Sequence, residues 1–465
     1  MHLKLYNTLS RAIEPFKPNQ AAKASLYTCG PTVYHYAHIG NLRTYVFEDV
    51  LSRTLQRFGF HVEHVMNITD VGHLESDSDV GDDKMELASK REKKSPWEVA
   101  RYYERAFFQD TEALNILKPT IVCRATEHVA EMQHMIQKLI SNGFAYVVEG
   151  NVYFRIHRFE DYSKLSRRNL EELMEGARVD IDSRKENPLD FVLWFSQSKY
   201  PNQVMKWESP WGVGFPGWHI ECSAMALKYL GERIDIHCGG VDHISVHHTN
   251  EIAQTEGCLG HRWVNVWMHG EFLVLDKAKM SKSKGDFLTL STLREQGFEA
   301  VHYRYFCLGA HYRSQLSFSY ESLQASKNAF ESLKNRVLGW RLEPKKGKAP
   351  EKKNSYQEAF KQALANDLDL PVAMRVLWDV VKDADLGTEN QLELVEDFDQ
   401  VFGLGVSQFE RPVLSWELSQ IVEERNQARA QKDWQKADEL RQKLSTCGLQ
   451  IKDTPKGPDW YFDFS

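Results

Sequence analysis

The 465-residue chain reads as an α/β protein with a doubly wound parallel sheet, an insertion, a helical domain and a small C-terminal domain. Three observations predict this. Ser25–Cys29 is a short apolar strand that ends in Cys29-Gly30-Pro31 and is followed by a helical pattern from Leu42. Ile234–His237 is a second short strand, running into a Gly239-Gly240-Val241-Asp242 corner. Val264–His269 alternates as a strand does and leads toward a Lys/Ser-rich stretch. Strand, glycine turn and helix, used twice in one chain, are the units of a wound parallel sheet.

Each element has a local reason. In residues 1–112, Leu42, Tyr45, Val46, Val50, Leu51, Leu55 and Phe58 recur at helical spacing, and Gly59 stops the helix. Val62–Met66 reads as the next strand, with Asn67-Ile68-Thr69-Asp70 after it, and Asp77–Asp83 as an acidic loop. Residues 113–215 form an insertion with a helix at His128–Ser141 and a strand-like part at Ala145–Arg155. Residues 216–275 supply the second half of the sheet. Residues 276–325 open on the lysine-bearing stretch, and 326–408 form a helical bundle. Within the bundle Arg341–Asn354 holds six Lys/Arg, two Pro and one Gly and reads as an exposed linker. In residues 409–465, Trp416–Leu444 is a long amphipathic pattern interrupted near Asp433-Trp434. Gly448 closes it, and Leu449–Asp453 looks like a strand.

Composition excludes several classes. Length alone suggests about three domains. No run of 18 apolar residues is present, so no membrane span is expected, and the start lacks a signal-peptide pattern. Seven scattered cysteines argue for a reducing, cytoplasmic setting rather than a disulfide framework. A monomer is expected. Net charge is −7, and the tail from Arg411 carries nine Lys/Arg against nine Asp/Glu. Any nucleic-acid contact must therefore use local patches.

Two strings carry chemistry. His38-Ile39-Gly40-Asn41 stands at the start of the first helix, where His38 and Asn41 can donate hydrogen bonds to a phosphate-accepting corner. Lys279-Met280-Ser281-Lys282-Ser283 offers ammonium groups that, fixed near a triphosphate, would stabilise developing pyrophosphate charge, with a solvated charged turn as the alternative. His38 as a plain helix cap is the bland alternative. Together the strings resemble the HIGH and KMSKS signatures of class I aminoacyl-tRNA synthetases. The resemblance implies a Rossmann-type catalytic domain, ATP with Mg²⁺ as substrate, and His38, Asn41, Lys279 and Lys282 as catalytic residues. Gly240, Asp242 and His269 would join His38, Asn41 and Lys282 around ATP, with a surface turn as the alternative for the Gly-Gly-x-Asp corner.

A dispersed set adds the amino acid. Cys29, Cys222, His247 and Glu251 are zinc-ligand types, and His247 and Glu251 are four apart on one helical face. There is no CxxC pair, so spacing alone leaves packing cysteines and a core histidine open. These residues fall where cysteinyl-tRNA synthetases carry zinc, and the chain resembles that family from about Tyr6 to Trp460. One Zn²⁺ held there is implied to take the substrate thiolate and so separate cysteine from serine without editing. Cys29, Gly30, Thr69 and Trp218 are the implied cysteine pocket. In the tail, Arg429, Trp434, Asp438 and Asp453 match the family's anticodon reader of tRNA-Cys, against the plainer reading of an ion-paired surface helix. Arg167, Arg168 and Trp194 in the insertion are candidates for touching an acceptor end, or are merely connective. Asn41 stands where the family has His, Thr249 where Glu is frequent, Cys238 where Gly is, Val241 where Ser is, and His35 where Asp is common.

Overall fold

The computed structural model describes residues 2–72, 84–168, 182–196, 204–275, 288–342, 347, 351–411, 413–454 and 457–462. The chain divides into two compact units, residues 1–319 with 359–374, and residues 320–358 with 375–465.

The first unit holds the expected sheet. An N-terminal hairpin, β1 (Lys4–Asn7) and β2 (Ala12–Pro15), precedes β3 (Lys23–Thr28), α1 (Ile39–Arg57) and β4 (His61–Ile68). Then come α2 (Lys84–Glu92), α3 (Pro96–Ala113) and β5 (Ile121–Arg124). The insertion supplies α4 (Val129–Ser141), β6 (Ala145–Val148), β7 (Asn151–Phe154), β8 (Phe191–Phe195) and β9 (Phe215–Pro216). The sheet is completed through α5 (Trp218–Leu230), β10 (Ile234–Gly240), α6 (His247–Leu259) and β11 (Val264–Gly270). The strands are parallel, in the order β11-β10-β3-β4-β5. Order therefore reverses between β3 and β10, and such a switch point leaves a crevice beyond the strand carboxyl ends. Cys29 and Gly239-Gly240 stand at that edge.

The strands are buried on both faces, although β10 and β11 alternate apolar with polar residues in sequence. Leu26, Ile236, Val266 and Met268 pack with Phe47, Leu51 and Leu55 of α1 on one face. Tyr27, Val65 and Trp267 pack with Ile220 of α5 and Ile252 of α6 on the other. The first helix begins earlier than the apolar pattern from Leu42 predicts, at Ile39, because His38 caps it. In the insertion, Glu149 and Gly150 both have positive φ (52° and 84°). A two-residue turn of that kind matches strand twist and closes the β6–β7 hairpin. Trp194 is fully buried in β8 and so is a packing residue, not an acceptor-end contact. Arg167 and Arg168 are exposed.

After β11 the chain forms β12 (Leu273–Leu275), α7 (Leu290–Glu295), α8 (Ala300–Leu308) and β13 (Leu316–Phe318). Arg304 of α8 pairs with Asp49 of α1 at 2.5 Å, both side chains without exposure. Asp49 also accepts from Arg53 at 2.8 Å and from the Leu117 amide at 2.8 Å. The second unit contains α9 (Tyr320–Leu342), most of α10 (Glu351–Ala365) and of α11 (Leu370–Lys382), and α12 (Gly387–Phe402). The expected linker from Arg341 is narrower than its composition suggests. Arg341 is still helical and donates to Phe409 O and Val406 O at 2.9 and 2.8 Å. The tail folds as α13 (Trp416–Ala430), α14 (Trp434–Thr446), β14 (Leu449–Thr454) and β15 (Gly457–Phe462), with the break at Asp433-Trp434 as read.

His64, on β4, faces Thr28 Oγ1 at 2.9 Å. Burial pushes its pKa down to about 4, while Asp49 pulls weakly upward. The unfolded ring titrates near 6.5, so the neutral native form favours folding at pH above 6.5. That contribution, about 3 kcal/mol, is lost as pH falls from 6.5 to 4. His64→Gln should flatten the pH dependence of urea unfolding by that amount over this window; an unchanged profile would refute the assignment.

Candidate active site

The crevice at the switch point is a cavity of about 350 Å³ lined from β3, α1, β4, α5 and β10. Cys29, Gly30, His38, Asn41, Thr69, Trp218, Cys222, Gly240, Asp242 and His247, all expected from the sequence, line it.

One end is the N-terminus of α1. His38 Nδ1 accepts from Asn41 N at 3.1 Å, and Asn41 Oδ1 accepts from His38 N at 3.3 Å. Asn41 thus closes a reciprocal cap, and the bland reading of His38 as a cap holds alongside its place in the cavity. Burial lowers the His38 pKa, with Asp242 opposing. The His38 ring is therefore a neutral hydrogen-bonding group near neutral pH. A Cβ at Gly240 would lie 2.3 Å from Asp242 Oδ1, so any side chain there would turn the exposed Asp242 carboxylate aside.

The other end is the thiol corner. Cys29, Cys222, His247 and Glu251 bring one donor atom each to within 4.8 Å of one another. His247 Nε2 lies 3.0 Å from Glu251 Oε1, and Cys29 Sγ lies 3.9 Å from the same oxygen. His247 Nδ1 faces His219 Nδ1 at 3.0 Å, and the Trp218 ring covers His247 with centroids 4.8 Å apart. The hydrogen bond from Cys29, against burial, brings the Cys222 thiol down to about 6, and His247 adds to this. Burial pushes the Cys29 thiol well above its usual value. Burial also opposes charge on Glu251, yet His237 and His247 hold it at about 2. Burial opposes charge on His247, yet Glu251 and Cys222 raise its pKa well above the usual value, so metal binding there would displace protons from His247 and Cys29.

Second contacts orient this corner. Asn67 Oδ1 accepts from Gly30 N at 2.9 Å, and Asn67 Nδ2 donates to Thr69 Oγ1 at 3.1 Å. Thr69 Oγ1 in turn donates to Glu221 Oε2 at 3.1 Å. Burial, reinforced by Cys222, raises Glu221 well above the carboxylate range.

Other expected residues are placed differently. Glu251 and His269 are buried and are not among the lining residues. His269 stands behind the wall, with Nδ1 2.7 Å from Thr8 Oγ1 and Nε2 2.8 Å from His248 Nδ1. Both of its ring nitrogens are thus engaged within the protein. Lys279 and Lys282 lie outside the described residues, but both described flanks of their segment are tied to α1. Leu288 O accepts from Ile39 N at 2.8 Å. Arg43 donates to Glu271 O and Phe272 O at 2.8 and 2.6 Å, and to His311 O and Ser314 O at 3.3 and 2.5 Å. Sequence reasoning passed over Arg43, His237 and His248. A helix-face argument selects His247 with Glu251 and turns attention away from its neighbour.

Within the second unit, Trp434 is 56% exposed beside Arg429, whose guanidinium lies 5.5 Å from the ring centroid. Asp438 is exposed. Asp453 is exposed but paired within the chain: Arg425 donates to both its oxygens at 2.9 and 2.8 Å, and Arg429 approaches at 2.9 Å.

Residues 15–328 match the family described as tRNA synthetases class I (C) catalytic domain. Residues 411–460 match the cysteinyl-tRNA ligase anticodon binding domain. A methionyl-tRNA synthetase of Mycobacterium tuberculosis, solved with methionyl-adenylate, shares the fold at a TM-score of 0.58 and 16% identity, over 83% of this chain and 92% of that one. The switch-point sheet with its capped helix is therefore the catalytic domain of a class I aminoacyl-tRNA synthetase. The cysteine–tRNA ligase of Treponema denticola is 47% identical over 489 residues, 99% of each chain. Cysteine–tRNA ligase 1 of Burkholderia lata is 49% identical over 462 residues, 98% of this chain and 96% of that one. The chain belongs to the cysteine–tRNA ligase family.

A Cβ at Gly30 would lie 1.7 Å from Asn67 O, so Gly30→Ala must part β3 from β4 at the thiol corner. A loss of about 1–3 kcal/mol in urea unfolding is expected. Unfolding identical to the parent would refute the constraint.

Proposed function

We propose that the protein is a cysteine–tRNA ligase that activates L-cysteine with ATP to cysteinyl-adenylate, releases pyrophosphate, and transfers cysteine to the 3′ end of tRNA-Cys. The observation that carries this reading is the convergence of Cys29, Cys222, His247 and Glu251 in the same cavity as the capped start of α1.

The donor set fits a zinc ion, with two sulfurs, one imidazole and one carboxylate gathered in one buried corner. Zinc bound by Cys29, Cys222, His247 and Glu251 would accept a soft thiolate far better than a hydroxyl, which is the chemistry that separates cysteine from serine. Trp218 and Thr69 bound the amino acid, and Asn67 holds Gly30 so that its backbone can come close. The cysteine carboxylate is already charged, so attack on the α-phosphate needs no general base from the protein. The chain's contribution is alignment and charge. The N-terminus of α1 presents amides and the His38 ring to phosphate, Asp242 is placed to receive a ribose hydroxyl, and Lys279 and Lys282 are assigned to the pyrophosphate charge. Mg²⁺ would accompany ATP through phosphate oxygens and water. Trp434 and Arg429 are assigned to an unpaired anticodon base, by stacking and by charge. Asp438 is their exposed neighbour, whereas Asp453 serves that surface by holding Arg425 and Arg429.

ATP–pyrophosphate exchange tests the first step. Cysteine should be preferred over serine by about 10⁴-fold or more, against the roughly 10–200-fold that shape alone provides. Cys222→Ser and His247→Ala should each lower cysteine-dependent exchange by about 100-fold or more, as should chelation. Lys282→Ala should cost about 10²–10³-fold. Equal exchange with serine would defeat the selection mechanism.

Trp434→Ala tests the second unit. Charging of tRNA should fall by an amount worth about 1–3 kcal/mol, seen in kcat/KM for tRNA, with exchange unaltered. Unimpaired charging would remove Trp434 from the RNA contact.

A further inference from the structure

Beneath the cavity lies a second set of donors. Cys29, His237, His248 and Glu251 also bring one donor atom each to within 4.8 Å of one another. They come from rigid elements: Cys29 from the end of β3, His237 from β10, and His248 and Glu251 three apart on α6. His248 Nε2 lies 3.3 Å from Cys29 Sγ and 3.8 Å from Glu251 Oε1, and His237 Nε2 lies 3.0 Å from Glu251 Oε2. Glu251 therefore turns one oxygen toward His247 and the other toward His237, bridging the two sets.

Two further observations mark this as a built site. His248 is oriented from behind by His269 and Thr8 through contacts of 2.8 and 2.7 Å. With each hydrogen bond donated toward Thr8, His248 Nε2 keeps its lone pair facing Cys29, the arrangement that ligand histidines have. His237 is clamped against Trp267, with stacked rings 4.5 Å apart. Cys29, Cys222 and His247 line the cavity, whereas His237 and His248 have no exposed surface and do not.

We propose that the divalent ion has two alternative seats in this protein: the cavity-facing one, and a deep one formed by Cys29, His237, His248 and Glu251, in which it is out of reach of substrate. This rests on the reading that the cavity-facing set binds zinc. Two thiolates make the front seat the better home for a soft ion. The deep seat, with one thiolate and two imidazoles, takes over when Cys222 or His247 is unavailable. Cys29 and Glu251 belong to both sets, so the ion exchanges only two ligands in passing between them.

The test is metal content and ligand count in the purified full chain loaded with Zn²⁺ or Co²⁺. The parent should hold one ion with two sulfurs and one imidazole by X-ray absorption. Cys222→Ala should still hold about one ion per chain, now with one sulfur and two imidazoles. His247→Ala should give the same ligand count from the other side. His248→Ala alone should keep the ion, and Cys222→Ala with His248→Ala should lose it. Thr8→Val in the Cys222→Ala background should weaken binding by about 10–100-fold, measured by chelator competition. A folded Cys222→Ala chain without metal would overturn the proposal, as would one whose metal is unaffected by His248→Ala. A parent without metal would instead overturn the zinc reading itself.

Discussion

Cys29 is held between two parallel strands, and the site depends on that grip. Its amide donates to Cys238 O of β10 at 3.2 Å, while the next amide, of Gly30, donates to the Asn67 side chain of β4 at 2.9 Å. The register Leu26–Ile236 and Leu26–His64 fixes how far each strand extends beyond its neighbour. A slip along a parallel ladder would move Cys29 away from α5 and α6 together, and the thiol corner would be lost. Absence of a side chain at Gly30 lets the strands close to this distance.

Charge in the corner is arranged by alternation rather than by solvent. Cys29, Cys222, Glu251, His237, His247 and His248 are nearly without exposure. Unpaired charges in such a place would cost several kcal/mol each. The structure sets Glu251 between imidazoles and Cys222 beside Cys29 and His247. Burial raises the neighbouring Glu221 well above the carboxylate range, and Thr69 meets it with a hydrogen bond. This is polar satisfaction inside a low-dielectric pocket, and it leaves the corner matched to a cation.

Much of this was legible in the sequence. The Ser25–Cys29 strand, the α1 pattern, the glycine corner at Gly239-Gly240 and the paired tail helices are local signals, set by periodicity and glycine. The convergence of Cys29 with residues more than 190 positions away is set by sheet order, which composition does not encode; only family likeness made it readable. His248 was passed over because consecutive helix residues point about 100° apart, so the face carrying His247 hides it until β3 and β11 are placed. Asp453 looked like a free acceptor because its partners Arg425 and Arg429 lie on another element. His269 looked like a ligand contact because it ends a strand at the crevice, yet Thr8 and His248 occupy both ring nitrogens.

The four carbonyls gathered by Arg43, with the Ile39–Leu288 bond, have an entropic meaning. They tie the described flanks of the segment bearing Lys279 and Lys282, at Glu271-Phe272 and at Leu288, to α1. Pinning both ends of a loop narrows the volume that its tip can sample, because the closed ends remove conformations. A substitution at Arg43 would release the Glu271-Phe272 flank while the Ile39–Leu288 bond still held the other.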